Sequence, residues 1–81
     1  MNNQEIYKLL RDKLVELRYL NPDEILNETD NLLDLGLDSM GLITIIIEME
    51  AETGIEVPDS ELVLDNFSTI SAFQDYFLRN D

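Results

Sequence analysis

The chain has 81 residues, of which 44% are hydrophobic, and it carries 18 acidic and five basic side chains for a formal net charge of −13. This length accommodates one small hydrophobic core, so we expect a single domain over residues 1–81. So negative a surface would repel nucleic acid and anionic lipid, and it predicts protein partners with basic patches. The absence of cysteine and histidine excludes disulfides, a Ser-His-Asp triad and, in practice, a structural zinc site.

Targeting and metal-binding patterns are also missing from the sequence. Residues 1–5 lack the basic and apolar regions of a signal peptide, and the longest apolar block, 42–47, is too short to span a bilayer. The acidic loops do not match a calcium loop, because placing Gly36 at its sixth position puts leucines where oxygen ligands are needed. We therefore expect a cytoplasmic protein with no metal site and no membrane span.

The N-terminal segment has the periodicity of an amphipathic helix over about residues 4–19. Apolar residues recur at spacings of three and four, and charged residues fill the opposite face. We expect Asn-Pro-Asp at 21–23 to end this helix, since the residue before proline is pushed out of helical geometry. The following connection, 21–37, is rich in leucine, and we predict that it lies over the core.

A central helix is predicted over residues 39–53. Asp38 can cap its first turn, and Gly54 can end it. The β-branched block 43–47 reads equally as a buried strand by propensity alone. The helix is favoured because this block continues into the strong helix-forming run 48–52, and because the chain offers no second convincing strand for pairing.

Drawn as a helix, the central segment has two apolar faces. The first face belongs to the core and comprises Leu42, Ile45, Ile46 and Met49. The second face comprises Met40, Ile43 and Ile47, and periodicity leaves open whether it is part of a wider buried surface or a docking patch.

The C-terminal third predicts a short helix over 59–64 and a last helix over 69–78. The last helix carries a buried stripe of Ile70, Phe73, Tyr76 and Phe77, and Ser68 or Thr69 caps it. The whole pattern predicts an all-α four-helix bundle with three main helices and one short helix.

Ser39 falls on the first turn of the central helix, where its hydroxyl can face solvent. A serine there is ordinarily a capping or first-turn residue, and this one has no histidine to activate it. We therefore predict no catalytic residue in the chain. If Ser39 carries chemistry, another protein must modify it.

The sequence around Ser39 resembles a known family. Residues 35–40, Leu-Gly-Leu-Asp-Ser-Met, are similar to the Leu-Gly-x-Asp-Ser-Leu motif of acyl carrier proteins. The similarity continues through acidic residues of the central helix, Ile-x-Val-Pro-Asp at 55–59 and Phe-x-Thr-Ile at 67–70, and covers about residues 32–77.

The resemblance implies an acyl-carrier-protein-like bundle that is a free-standing monomer and not itself an enzyme. Ser39 would receive a 4′-phosphopantetheine arm from coenzyme A through a phosphopantetheinyl transferase, and Asp38 would help the transferase to recognise the site. The arm would hold an acyl or aminoacyl group as a thioester for ligases, synthases or transferases that have basic or apolar docking patches. The residues implied to face these partners are Met40, Ile43, Ile47 and Glu50.

The chain also departs from the fatty-acid-synthesis pattern. That pattern has an acidic residue two and five positions after the serine, where this chain has Gly41 and Thr44. The departure favours a carrier in a specialised polyketide, nonribosomal peptide or modified-lipid pathway. The alternatives are a housekeeping fatty acid synthesis carrier and, from a different class, an acidic helical interaction module without a prosthetic group.

Overall fold

The computed structural model describes residues 2–80, apart from the side chain of Leu64. The regular elements in this part of the chain are helices and 3-10 turns, and it contains no β-strand. Three α-helices are present: α1 (Asn3–Glu16), α2 (Ser39–Thr53) and α3 (Ile70–Arg79). Three 3-10 turns lie in the connections, at Leu32–Leu35, Asp59–Glu61 and Leu64–Asn66. The predicted all-α architecture is confirmed, and the short helix predicted over 59–64 corresponds to the last two of these turns.

The predicted end of the first helix, at about residue 19, is wrong by three residues. α1 ends at Glu16, and Arg18 takes a left-handed backbone conformation with φ +68°. The N–H of Arg18 donates to the Val15 carbonyl (3.0 Å) and that of Tyr19 to the Leu14 carbonyl (2.9 Å). These two bonds form a Schellman motif, in which glycine is usual at the left-handed position. The turn, rather than the proline at position 22, ends α1.

α2 spans the predicted residues, and its ends are set by the predicted caps. Asp38 accepts a hydrogen bond from the Gly41 N–H, and Gly54 ends the helix with φ +74°. The β-branched block 43–47 is therefore helical. Tertiary packing outweighs strand propensity here, because Ile45 and Ile46 are buried in a helix that packs against α1.

The core lies between the three helices and is closed by the connecting segments. α1 packs against both α2 and α3. Every member of the predicted α3 stripe is buried, and the Phe67 ring lies 5.0 Å from Phe73 and 5.1 Å from Tyr76 between centroids. The remaining buried apolar residues are Ile6, Leu10, Leu14, Leu20, Leu26, Leu32, Leu37, Leu42, Ile45, Ile46, Met49 and Val57.

The long connection between α1 and α2 is held against the bundle, as its leucine content predicts. Two hydrogen bonds from α1 anchor it: the Tyr7 hydroxyl donates to the carbonyl of the buried Leu26 (2.7 Å), and Arg11 donates to the carbonyl of the exposed Pro22 (2.6 Å). At its other end the Leu32 N–H donates to the Ser68 carbonyl (2.7 Å). This anchoring fixes the segment that leads into α2. Within residues 2–80, no helix has the length and apolar character required to cross a membrane.

Candidate functional site

Ser39 is the first residue of α2, and its side chain is exposed. The chain reaches it through Gly36, whose φ of +92° is a left-handed conformation that favours glycine. Asp38 follows as the N-cap, and its Oδ1 accepts a hydrogen bond from the Gly41 N–H at 2.8 Å. The turn and the cap together hold the Ser39 hydroxyl at the surface, at the positive end of the helix dipole.

The two apolar faces of α2 have different environments. Leu42, Ile45, Ile46 and Met49 are buried, which confirms their predicted place in the core. On the second face, Met40 is 73% exposed, Ile43 38% and Ile47 58%. The alternative of a wider buried surface is therefore excluded, and Ser39 stands at one end of an exposed apolar strip formed by Met40, Ile43 and Ile47.

Two carboxylates in the second half of α2 bind a lysine of α1. The Nζ atom of Lys13 lies 3.2 Å from Glu52 and 3.4 Å from Glu48, and it lies 3.8 Å from Glu16 in its own helix. The hydrogen bond to Glu52 is the largest cause of a raised pKa for the Lys13 ammonium group. This cluster joins α1 to α2, and periodicity did not reveal it because the partners lie more than thirty residues apart in the chain.

Glu50, predicted to face partners, has a contact within the chain. Its side chain is half-buried, and its Oε2 accepts a hydrogen bond from the Val57 N–H at 3.0 Å. Val57 is itself buried, so this bond fixes the extended segment that follows α2. Glu50 therefore has a structural role, and its partner-facing role remains a prediction.

Tyr19 was not identified from the sequence, yet it contacts the first turn of α2. A Cβ atom added to Gly41 would lie 2.7 Å from the Tyr19 hydroxyl oxygen and 3.4 Å from Oδ1 of Asp38. The glycine at the position where the fatty-acid-synthesis pattern has an acid therefore makes room for a tyrosine. The only local signal was the glycine itself, in the first turn of a helix where it is unfavourable.

The chain has no histidine to take the proton of a serine hydroxyl. Among residues 2–80, no three acidic side chains are grouped as a metal site. What the site offers is an exposed hydroxyl at a helix N-terminus, next to a capping carboxylate and an apolar strip.

Comparison with known proteins gives consistent matches over most of the chain. A family model described as a phosphopantetheine attachment site matches residues 8–77. The acyl carrier protein of Campylobacter hominis is 35% identical over 57 residues, which is 70% of this chain and 72% of the relative. The acyl carrier protein of Lactobacillus acidophilus is 33% identical over 61 residues (75% and 76%), and that of Wolinella succinogenes is 32% identical over 56 residues (69% and 74%).

The helical fold, the exposed serine and these matches agree. Proteins of this kind carry a covalently attached 4′-phosphopantetheine group and are carriers rather than catalysts; they work with a phosphopantetheinyl transferase and with synthase or transferase enzymes. The chain belongs to the phosphopantetheine attachment-site family, as an acyl carrier protein.

Proposed function

We propose that Ser39 carries the 4′-phosphopantetheine arm, and that the protein presents acyl or aminoacyl thioesters to partner enzymes in the cytoplasm as a monomer. The observation that carries the proposal is the exposed Ser39 hydroxyl at the start of α2, directly after the capping Asp38. When bound, the arm supplies the thiol that this cysteine-free chain lacks.

The chemistry of attachment fits this position. The Ser39 Oγ–H bond breaks and an Oγ–P bond forms, while the P–O bond of the coenzyme A pyrophosphate breaks and adenosine 3′,5′-bisphosphate leaves. The serine proton passes to a base on the transferase, since the chain has no histidine. The phosphodiester that results is anionic, and a helix N-terminus favours a negative charge through its dipole and its free N–H groups.

Intact-mass measurement tests the attachment site. The protein is incubated with coenzyme A and a phosphopantetheinyl transferase of broad specificity. We expect the wild type and Ser60→Ala, a control at another exposed serine, to gain the mass of one phosphopantetheine group. Ser39→Ala should gain none and should keep its melting temperature, because an exposed side chain is removed. A mass gain in Ser39→Ala would contradict the assignment.

We further propose that Met40, Ile43, Ile47 and Glu50 face the partner enzymes. The exposure of Met40, Ile43 and Ile47 beside Ser39 supports this role. Met40→Glu and Ile47→Glu should slow the transfer of acyl groups from partner enzymes while far-UV circular dichroism is unchanged. A large loss of helicity in either variant would instead show that the residue stabilises the fold.

The pathway we propose is a specialised one, of the polyketide, nonribosomal peptide or modified-lipid type. Two observations support it: Gly41 and Thr44 stand where the fatty-acid-synthesis pattern has acids, and Glu48 and Glu52 are bound to Lys13. The face beside Ser39 therefore offers partners mainly apolar contact.

Two measurements distinguish this pathway from the alternatives: elongation of the acyl-loaded holo protein by fatty acid synthesis enzymes, and covalent modification of the chain itself. Efficient elongation by fatty acid synthesis enzymes would refute the specialised pathway and favour a housekeeping carrier. An acidic interaction module without a prosthetic group predicts no covalent modification of the chain by any transferase.

A further inference from the structure

The phenol of Tyr19 fills the space in which residue 41 would carry its own side chain. A Cβ on Gly41 would lie 2.7 Å from the Tyr19 hydroxyl oxygen and 3.3 Å from its Cζ. The first distance is shorter than real Cβ contacts, so any other residue at position 41 would displace the ring. Glycine therefore lets the hydroxyl end of the Tyr19 side chain lie close to the first turn of α2.

Two locally unfavourable features of the chain serve this contact. Gly41 lies inside a helix, and the backbone of Arg18 takes a left-handed conformation that residues other than glycine rarely adopt. The conformation of Arg18 turns the chain so that the N–H groups of Tyr19 and Leu20 both donate to the Leu14 carbonyl, at 2.9 and 3.3 Å. Because Leu20 is also buried, Tyr19 is held firmly relative to α1.

Tyr19 contacts Gly41, the residue whose N–H donates to the N-cap of α2. The Gly41 N–H donates to Oδ1 of Asp38 at 2.8 Å, and Ser39 is the next residue after Asp38. A glycine without a covering contact would leave this turn the least restricted part of the helix. The ring of Tyr19 restricts Gly41, Gly41 holds the Asp38 carboxylate, and Asp38 fixes the backbone from which the Ser39 hydroxyl projects.

We infer that Tyr19 is a positioning residue for the modification of Ser39. It acts through Gly41 and Asp38, and it keeps the serine hydroxyl in one orientation for the attack on coenzyme A. The inference rests on the proposed function, because it assigns Tyr19 a part in the same reaction. Orientation is a contribution to kcat rather than to the affinity between the protein and the transferase.

Steady-state kinetics of modification by a phosphopantetheinyl transferase, with coenzyme A as donor, test this role. We expect Tyr19→Ala to lower kcat about tenfold while KM changes little. Tyr19→Phe should keep most of the rate, since Cζ still covers Gly41. Gly41→Ala should also lower kcat by displacing the ring, but it should have no further effect when added to Tyr19→Ala.

Hydrogen exchange of the Gly41 amide is the second readout, because it reports the bond to Asp38 without any transferase. We expect the amide of residue 41 to exchange faster in Tyr19→Ala and in Gly41→Ala, each rate being taken relative to that of the same residue in an unfolded chain, and to exchange at an unchanged rate in Tyr19→Phe. Tyr7→Ala is the matched control: it removes another half-buried tyrosine that anchors the Leu26 carbonyl, and it should lower the melting temperature without changing kcat or Gly41 exchange.

The outcomes separate this inference from the function on which it rests. A wild-type protein that is never modified would overturn the proposed function and the role of Tyr19 with it. A wild type that is modified, with kcat unchanged in Tyr19→Ala, would overturn the role of Tyr19 alone. An equal loss of kcat in Tyr7→Ala, or independent and additive effects of the Tyr19 and Gly41 substitutions, would do the same.

Discussion

The carboxylate of Asp38 caps α2. We propose that the transferase also recognises this carboxylate, and substitution can separate the two roles. Asp38→Ala removes the acceptor of the Gly41 N–H. Loss of such a cap costs about 1 kcal/mol, within a range of about 0.5–2 kcal/mol. Since α2 has no other acidic residue in its first turn, no side chain there replaces the charge at the helix dipole. In a domain of this size a loss of about 1 kcal/mol lowers the melting temperature by about 4–8 °C.

Two control variants make the comparison specific. Thr69→Ala removes the equivalent cap of α3, where the Thr69 Oγ1 accepts a hydrogen bond from the Ala72 N–H at 3.0 Å. It should lower the melting temperature by a similar amount and leave the modification of Ser39 unchanged. Asp38→Asn keeps an oxygen acceptor and is as good an N-cap as aspartate, so it should stay close to wild type in stability while losing the charge.

Thermal unfolding by circular dichroism and kcat/KM for modification by the transferase are measured for all three variants, at a temperature where each is fully folded. We expect kcat/KM to fall for Asp38→Ala and Asp38→Asn and to be unchanged for Thr69→Ala. Equal slowing in Thr69→Ala would show that stability alone determines the rate. Full activity in Asp38→Asn would refute recognition through the carboxylate.

Three further predictions concern the packing and the charges of the bundle. Ile46→Ala should lower the free energy of unfolding in urea by about 2–5 kcal/mol, because that side chain is buried. Ile47→Ala should change it by about 0.5 kcal/mol or less, because that side chain is exposed. Equal losses would refute the assignment of the two faces. Lys13→Gln leaves the carboxylates of Glu16, Glu48 and Glu52 without their cation, so the unfolding midpoint of this variant should be lower than that of the wild type. Added salt screens the repulsion between these carboxylates, so the midpoint should increase more steeply with salt concentration in the variant. Parallel salt curves would contradict this prediction. Burial first, and then the Glu61 carboxylate, raise the pKa of the Tyr76 phenol from 10.0 to about 12. Between about pH 10 and 12 only the unfolded state readily loses that proton, so the contribution of Tyr76 to stability should be complete below about pH 10 and should be lost as the pH rises to about 12. Tyr76→Phe should flatten this fall in urea titrations and leave the share due to Lys13, whose raised pKa acts in the same direction.

The features that the sequence predicted correctly depend on short-range patterns. The extent of α2 follows from a capping aspartate at one end and a glycine at the other, and both residues act on backbone groups a few positions away. The buried face of α2 follows in the same way from the helical repeat. The end of α1 could not be found by such rules, because arginine is a good helix former and nothing local marks Arg18 as left-handed.

The contacts that refine the candidate site join distant parts of the chain. Lys13 meets Glu48 and Glu52 only after α1 and α2 have packed together, and Tyr19 meets Gly41 only across the long connection. No periodicity encodes such pairs, and an isolated glycine in a helix has several possible explanations. The exposure of the strip beside Ser39 was likewise undecided, since the same spacing serves a buried surface and a docking patch.

Contacts within the chain also determine how much negative charge α2 presents to a partner. Acidic side chains are absent from the N-terminal half of α2, and in its C-terminal half Glu48 and Glu52 bind Lys13 while Glu50 binds the Val57 N–H. The net charge of −13 acts over the whole surface and would attract a basic partner from a distance. The proposed docking strip itself is apolar, and desolvation of apolar side chains depends little on salt. Charge would then determine the rate of encounter, and the fit against Met40 and Ile47 would determine which partner stays bound.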